Sequence, residues 1–275
     1  MSEQGLEARH VIAIGSGKGG VGKSTVSLNL ALALAQEGAS VGLLDADFYG
    51  PNIPVMVGLT RTQEAQKWSF WRHPGAGGLG MDPIERFGVK IMSVGFLLGE
   101  RQQVFSWGPL VGQIGYQMLH HVRWGRLDYL IIDLPPGAAE VQQELLRSLS
   151  LSGTVVVVGP QDVAHLDAKK IIEMLKKLEI RVLGGVENMS RVRCPCCGEQ
   201  FEVFPHVRTD RSIWSLGVPL LGSVPLGPAV AHEANRGKPI VVSQPDSAEA
   251  RAFRKIATSV VRRLHSTEDG ESSPS

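Results

Sequence analysis

The chain has 275 residues, of which 43% are apolar, and this is enough for one large domain with a well-buried core. Its 28 Lys and Arg residues against 27 Asp and Glu leave a formal net charge of +1, which gives no general reason to expect nucleic acid or an anionic membrane as a partner. No apolar run approaches the length of about 18 to 20 residues that spans a bilayer, and the N-terminus does not resemble a signal peptide, so we expect a cytoplasmic protein.

The first predicted elements are a strand, a glycine-rich loop and a helix. An apolar run at 11–14 precedes the loop at 17–25, and an apolar segment at 26–34 follows it. The spacing Gly, four residues, Gly-Lys-Ser is typical of a phosphate-binding loop. Glycines let backbone N–H groups approach phosphate oxygens, and the start of the helix adds its positive dipole end. The sequence therefore predicts a nucleotide site formed by Gly17, Lys18, Gly19, Gly20, Val21, Gly22, Lys23, Ser24 and Thr25.

Two lysines of this loop have different predicted roles. Lys23 can reach the β- and γ-phosphates, and the Ser24 hydroxyl can ligate magnesium. A second lysine at position 18 is not required for nucleotide binding, and it could simply be a solvated side chain. With Lys18 included, the loop resembles the deviant phosphate loop of the dimeric ATPases that include MinD, ParA and the nitrogenase iron protein. That resemblance implies a sandwich homodimer in which Lys18 crosses to the phosphates bound by the partner subunit.

Carboxylates end two of the predicted strands. A buried strand at 39–45 leads to Asp45 and Asp47, and another at 128–133 ends in Asp133. The carboxyl ends of strands in open parallel sheets are where such folds bind ligands, and Asp133 is the second magnesium element expected of a phosphate-loop enzyme. The alternative role for Asp133 is to cap the helix that follows. The resemblance to the deviant-loop ATPases implies that Asp45 binds magnesium through water and that Asp47 positions the attacking water, although the two aspartates could exchange roles. It implies a catalytic role for Lys18 and Lys23 as well as for Asp47.

The remaining elements alternate between strand and helix. A strand ends at Asn188, which we expect either to contact the adenine base or to cap a turn. An amphipathic helix at 247–264 is expected to pack against the sheet rather than to bind membrane. We assign 1–9 to a lead-in, 10–264 to one domain and 265–275 to a disordered tail. The further predicted strands lie at 89–92, 154–159, 181–186, 220–225 and 239–242, and the further helices at about 109–122 and from Asp162 through Lys177.

All three cysteines lie within four residues, so they cannot staple a domain and indicate a reducing compartment and metal or redox chemistry. In the turn Cys-Pro-x-Cys-Gly, the thiolates of Cys194 and Cys197 can converge on one metal site. Structural zinc and iron-sulfur sites usually take four ligands, so the simplest completion is the same pair from a second subunit. The spacing alone does not separate zinc from iron.

Together these motifs resemble the Mrp/ApbC family of iron-sulfur cluster carrier ATPases over residues 11–264. The resemblance implies an α/β fold with a single P-loop NTPase domain and a mostly parallel sheet of seven to eight strands flanked by helices. It also implies ATP, Mg²⁺ and a 4Fe-4S cluster that Cys194 and Cys197 hold across a homodimer, for transfer to apo iron-sulfur proteins together with cluster assembly factors. The matching segments are 17–25, 45–51, 94–97, 124–129, 133–137, 160–164 and 187–190 with the cysteines.

One departure from that family affects the expected activity. The switch reads Gly137-Ala138-Ala139-Glu140, where family members usually carry Gly-Thr-Gly-Asp. The loss of a hydroxyl and a flexible glycine beside the γ-phosphate leads us to expect a slow ATPase. Two other functions stay open at this point: a MinD- or ParA-like spatial regulator on membrane or DNA, and a dimeric ATPase with a structural zinc.

Overall fold

The computed structural model describes residues 6–59, 70–72, 79–96, 118, 121–137, 140–194 and 196–266. The helix predicted at about 109–122 lies largely outside these residues, and the predicted tail lies outside them from 267 onward. Among the described residues, no helix combines the length and the apolar character needed to cross a bilayer.

An eight-stranded sheet forms the centre of the molecule, in the order β12-β9-β8-β1-β7-β2-β6-β5. All of its pairings are parallel except that of β5 with β6. The prediction of a mostly parallel sheet is therefore confirmed. The strands are β1 (Ala8–Ser16), β2 (Val41–Asp45), β3 (Phe70–Arg72), β4 (Leu79–Met81), β5 (Ile84–Arg86), β6 (Val89–Ser93), β7 (Leu127–Asp133), β8 (Gly153–Val158), β9 (Val182–Asn188), β10 (Val192–Arg193), β11 (Gln200–Phe201) and β12 (Leu220–Val224), of which β3-β4 and β10-β11 form separate antiparallel ribbons.

Helices cover both faces of the sheet. Along β1, Ile12 and Ile14 point into one hydrophobic core, whereas Val11 and Ala13 point into the other, as the alternation of side chains along a strand requires. The first core includes Leu28 and the second includes Ile171. The helices are α1 (Lys23–Gln36), α2 (Ile53–Met56), α3 (Glu140–Arg147), α4 (Asp162–Lys177), α5 (Pro228–Asn235), α6 (Ile240–Ser243) and α7 (Ala248–His265), with 3-10 turns at Val94–Phe96 and Ile213–Leu216.

The C-terminal region confirms one prediction and corrects another. The amphipathic helix is α7, which packs against β12 and α1, and the side chain of Ser247 caps it by accepting the N–H of Ala250. The strand predicted at 239–242 is wrong, because this run forms the short helix α6 instead. A short apolar run does not distinguish strand from helix, and here Pro239 precedes a turn in which Ser243 N–H donates to the Pro239 carbonyl.

Candidate functional site

The glycine-rich loop connects the end of β1 to the start of α1, as the sequence predicts. Gly17 lies against α4 so closely that a Cβ there would be 2.3 Å from the backbone N of Ala168. Gly22 has φ of 85°, in the left-handed region, and its Cα faces the amide of Asn188. Only glycine satisfies these two positions, which hold the loop against α4 and Asn188.

Lys23 and Asp133 form the buried centre of the site. Lys23 Nζ lies 2.9 Å from Asp133 Oδ1 and 3.5 Å from Asp47 Oδ2. The Asp133 side chain is fully buried, and that of Lys23 is 6% exposed. Ser24 Oγ donates to Asp133 Oδ2 at 2.5 Å, and Ser27 Oγ donates to Asp133 Oδ1 at 2.7 Å. The predicted lysine, hydroxyl and carboxylates therefore meet, because the carboxyl ends of β1, β2 and β7 share one edge of the sheet.

Asp45 lies behind this centre and is also fully buried. Its carboxylate accepts the Ser93 hydroxyl at 2.9 Å and the N–H groups of Ile53 and Asp47, each at 3.3 Å. Burial, reinforced by the nearby charge of Asp133, raises the pKa of Asp45 to about 8 although Lys23 opposes the shift. Burial likewise raises the pKa of Asp47, again against Lys23. Carboxylates crowded in this way favour the arrival of a further cation.

The polar side chains at this end of the sheet offer oxygen atoms, the donor that Mg²⁺ prefers. The Ser24 hydroxyl and the carboxylates of Asp45, Asp47 and Asp133 lie near one another, although the three carboxylates are not grouped as a ready-made ion site in the described structure. Ser24 and Asp47 line the adjoining cavity, whereas Asp45 and Asp133 are buried behind it. An ion would therefore reach Ser24 and Asp47 first.

The cavity has a volume of about 340 Å³ and opens beside the phosphate loop. Besides the loop, its walls come from α2, from α5 and from Pro136, which follows β7. Sequence analysis missed the contribution of α2 and α5. The wall residues from these elements and their flanks are Asn52, Val55, Met56, Ala231, Ala234 and Asn235.

Asn188 ends β9 and is 5% exposed. Its side-chain amide donates to the Val21 carbonyl at 2.9 Å, so it braces the phosphate loop from the neighbouring strand. Its contact with an adenine base stays a prediction.

Two further serines support the site without having been predicted. Ser27 lies four residues after Lys23, on the same face of α1, and this spacing is a signal that could have found it. Ser93 pairs in register with Asp45 at the ends of β6 and β2. Its role depends on the order of the strands, which the sequence does not give directly.

The cysteines lie apart from the cavity, in a turn that connects the two-residue strands β10 and β11. Cys194 N–H donates to the Glu199 carbonyl at 2.8 Å, and Gly198 N–H donates to the Cys194 carbonyl at 2.9 Å. Cys194 is half-buried, whereas Cys196 and Cys197 are exposed. Backbone N–H groups, first that of Cys197 and then that of Cys196, lower the pKa of the Cys194 thiol. This favours the thiolate, which is the form that binds metal.

The turn does not complete a metal site within one chain. In the parts of the chain that the structure covers, no three or more His, Cys, Asp or Glu side chains are grouped so that they could hold an ion. Cys194 and Cys197 therefore have no third such side chain grouped with them in the described structure, and their role as metal ligands stays a prediction.

Comparisons with known proteins agree with this geometry. A family model described as ParA, NUBPL iron-transfer P-loop NTPase, matches residues 7–261. The chain is 43% identical over 250 residues to the iron-sulfur cluster carrier protein of Aquifex aeolicus, covering 90% of this chain and 66% of the relative, so it spans about two thirds of that protein's length. It is 42% identical to the iron-sulfur cluster transfer protein NUBPL of Mus musculus, covering 94% of this chain and 79% of that one.

Solved structures are similar over the same span. A nucleotide-binding protein of Archaeoglobus fulgidus in complex with ADP has a TM-score of 0.72 at 32% identity, covering 90% of this chain and 93% of that chain. The cell division ATPase MinD of Pyrococcus furiosus has a TM-score of 0.66 at 24% identity, with coverage of 92% and 99%, and shows the shared fold. The chain belongs to the NUBPL iron-transfer P-loop NTPase family, which confirms the resemblance indicated by its motifs.

Proposed function

We propose that this protein is an ATP-hydrolysing iron-sulfur cluster carrier that holds a 4Fe-4S cluster between two copies of the chain and transfers it to apo iron-sulfur proteins. One observation carries the proposal: a chain with a nucleotide loop built into its core also presents, in one surface turn, a half-buried and an exposed thiol that together make half of a metal site. The names of its relatives, iron-sulfur cluster carrier and transfer proteins, support the same function.

In the nucleotide half, the phosphates of ATP lie against the loop N–H groups and the start of α1, and Lys23 neutralises part of their charge. Ser24, Asp45 and Asp133 are the residues that would hold Mg²⁺, and the ion would supply further neutralisation of the phosphates. Asp47, which lines the cavity, positions the attacking water. Hydrolysis is slow because Ala138 and Ala139 bring no hydroxyl to the switch.

In the cysteine half, a 4Fe-4S cluster takes four thiolates, and one chain supplies Cys194 and Cys197. A two-fold axis at the turn brings the same pair from a second copy and completes the set. In that dimer Lys18 of each subunit lies on the shared face and contacts the phosphates of the other. Cluster release then follows from the change that hydrolysis makes at the loop.

The test is anaerobic reconstitution of the full chain with iron and sulfide, followed by iron, sulfide and zinc analysis, visible spectra and measurement of the oligomeric mass. We expect about four irons and four sulfides per dimer in the parent. The Cys194→Ala, Cys197→Ala double variant should lose the cluster and keep its ATP affinity. Cys196→Ala is the matched control, since it removes a thiol from the same turn and should keep the cluster.

Two outcomes would contradict the proposal. A double variant that retains a full cluster would exclude these ligands. Stoichiometric zinc that resists replacement by iron would instead indicate a structural zinc between the subunits.

Transfer of the cluster is measured in a second experiment, in which protein loaded with the cluster activates an apo 4Fe-4S enzyme, with and without ATP.

A further inference from the structure

Gln142, on α3, is a polar side chain buried in the core. It is completely buried, and neither its Nε2 nor its Oε1 has a hydrogen-bond partner among the described residues. Buried amides in folded proteins are nearly always hydrogen-bonded, because removing one from water without a partner costs free energy. A fully unsatisfied amide therefore raises the free energy of this conformation relative to any other in which the amide is bonded.

The position of the amide connects it to the nucleotide loop. A Cβ built on Gly15 would lie 3.6 Å from Gln142 Nε2, so the amide rests against β1 two residues before the loop begins. The same point lies 3.7 Å from Leu134 Cδ1 and 4.0 Å from Ile171 Cγ2, which are apolar. Leu134 directly follows Asp133. Gln142 thus packs on the face of the sheet near the end of β1, which leads into the loop, and near Leu134, which follows the end of β7 at Asp133.

The chain that leads to α3 also contacts the cavity. Pro136 lines the cavity beside the loop, and Gly137 N–H donates to the Ser16 carbonyl at 2.9 Å. Pro136 is thus one wall of the cavity that would hold the nucleotide, and any movement of the segment 136–137 acts on a hydrogen bond that holds the end of β1. Gln142 follows Gly137 by five residues, with its amide against the same strand.

We propose that Gln142 is a positioning residue for ATP, whose amide is unsatisfied in the conformation described here and gains hydrogen bonds when bound ATP displaces Pro136 and α3 against β1. This rests on the proposed nucleotide-binding function. A ligand shifts a conformational equilibrium only through a difference in interaction energy between the two states, and an amide bonded in only one of them supplies such a difference. Because ADP lacks the γ-phosphate, the effect is specific to the triphosphate.

The test replaces Gln142 by methionine, which has a similar length and volume and no group to leave unsatisfied. Thr154→Val is the matched control, because Thr154 Oγ1 is also buried without a hydrogen-bond partner, near the amino end of β8. Without nucleotide, both variants should melt about 2–4 °C higher than the parent. Only Gln142→Met should bind the non-hydrolysable analogue adenosine 5′-(β,γ-imido)triphosphate about tenfold more weakly, a loss of about 1.4 kcal/mol. Its ADP affinity should be unchanged.

The results separate this inference from the function on which it rests. If the parent chain does not bind the analogue, both the proposed nucleotide-binding function and the inference about Gln142 are contradicted. If the parent binds it, a lower melting temperature in Gln142→Met would show that the amide is already bonded, and an unchanged affinity for the analogue would show that it does not respond to ATP; either result overturns the proposal. Higher stability together with a selective loss of triphosphate affinity supports it.

Discussion

The nucleotide loop and the cysteine turn are built in opposite ways. At the loop, Lys23 is buried and paired with Asp133, and two serines saturate the same carboxylate. At the turn, the thiols lie between two strands of only two residues each, and they are exposed or half-buried. Charged groups inside a protein must be paired within the chain, whereas ligands offered to another molecule must stay at the surface. The loop should therefore be coupled to the stability of the whole fold, and the turn should not.

The strongest way to break this contrast is to remove the buried cation. Lys23→Ala leaves Asp133 and Asp47 without their partner, and truncating one member of a buried ion pair costs about 3–5 kcal/mol. We expect a loss at the lower end of that range, since the raised pKa of Asp45 shows that a nearby carboxyl takes up a proton readily. Urea unfolding at pH 7 measures it.

Lys18→Ala is the control for this variant, because it removes a lysine from the same loop whose side chain has no buried charge to pair. Its free energy of unfolding should stay within about 0.5 kcal/mol of the parent. Both variants should lower ATP turnover sharply. Equal stability of the two would mean that the Lys23 pair is not part of the folded core.

The same contrast separates what the sequence predicts well from what it does not. The loop, Asp133 and the cysteine turn were predictable because each rests on local spacing. The pairing of Ser93 with Asp45 was not, since it depends on β6 lying beside β2 in register. The strand predicted at 239–242 is wrong because a four-residue apolar run suits either a buried strand or a buried helical turn. Gln142 carries no local signal, and only its buried surroundings single it out.

A pH titration sharpens the comparison at the point where the turn is anchored to the core. His165, on α4, accepts the N–H of Ile213 at 3.2 Å and so holds the segment that follows the cysteines. Burial lowers the pKa of His165 to about 4, against the opposing charge of Asp162. The unfolded chain, with an ordinary histidine pKa near 6.5, therefore binds more protons between those values.

The contribution of His165 to the free energy of unfolding should accordingly be constant above pH 6.5. It should fall by about 3 kcal/mol as the pH drops from 6.5 to 4. His165→Asn keeps an acceptor for Ile213 and cannot titrate, so its profile should lack this fall. Urea unfolding of the two proteins across that range is the measurement. Parallel profiles would show that His165 is not held neutral by the fold.

The smallest predicted effect compares two glycines with the same backbone φ. Gly198 closes the cysteine turn and Gly217 ends the 3-10 turn Ile213–Leu216, and both have φ of 76°. An alanine in this left-handed region costs about 1–2 kcal/mol at either position. At Gly217 the cost should appear in the global free energy of unfolding, because Ile213 and Val218 on either side are buried in the core.

At Gly198 the turn can open by itself. Gly198→Ala should therefore leave the global free energy of unfolding within about 0.5 kcal/mol of the parent. It should instead speed hydrogen exchange at the Cys194 and Gly198 amides, which close the turn. The reason is that local unfolding relieves the strain without exposing core surface. If Gly198→Ala destabilised the whole chain as much as Gly217→Ala, the turn would belong to the same cooperative unit as the nucleotide loop. Under the proposed function, a cluster bound at the turn would then be coupled to the loop through the cooperative fold, and not to the turn alone.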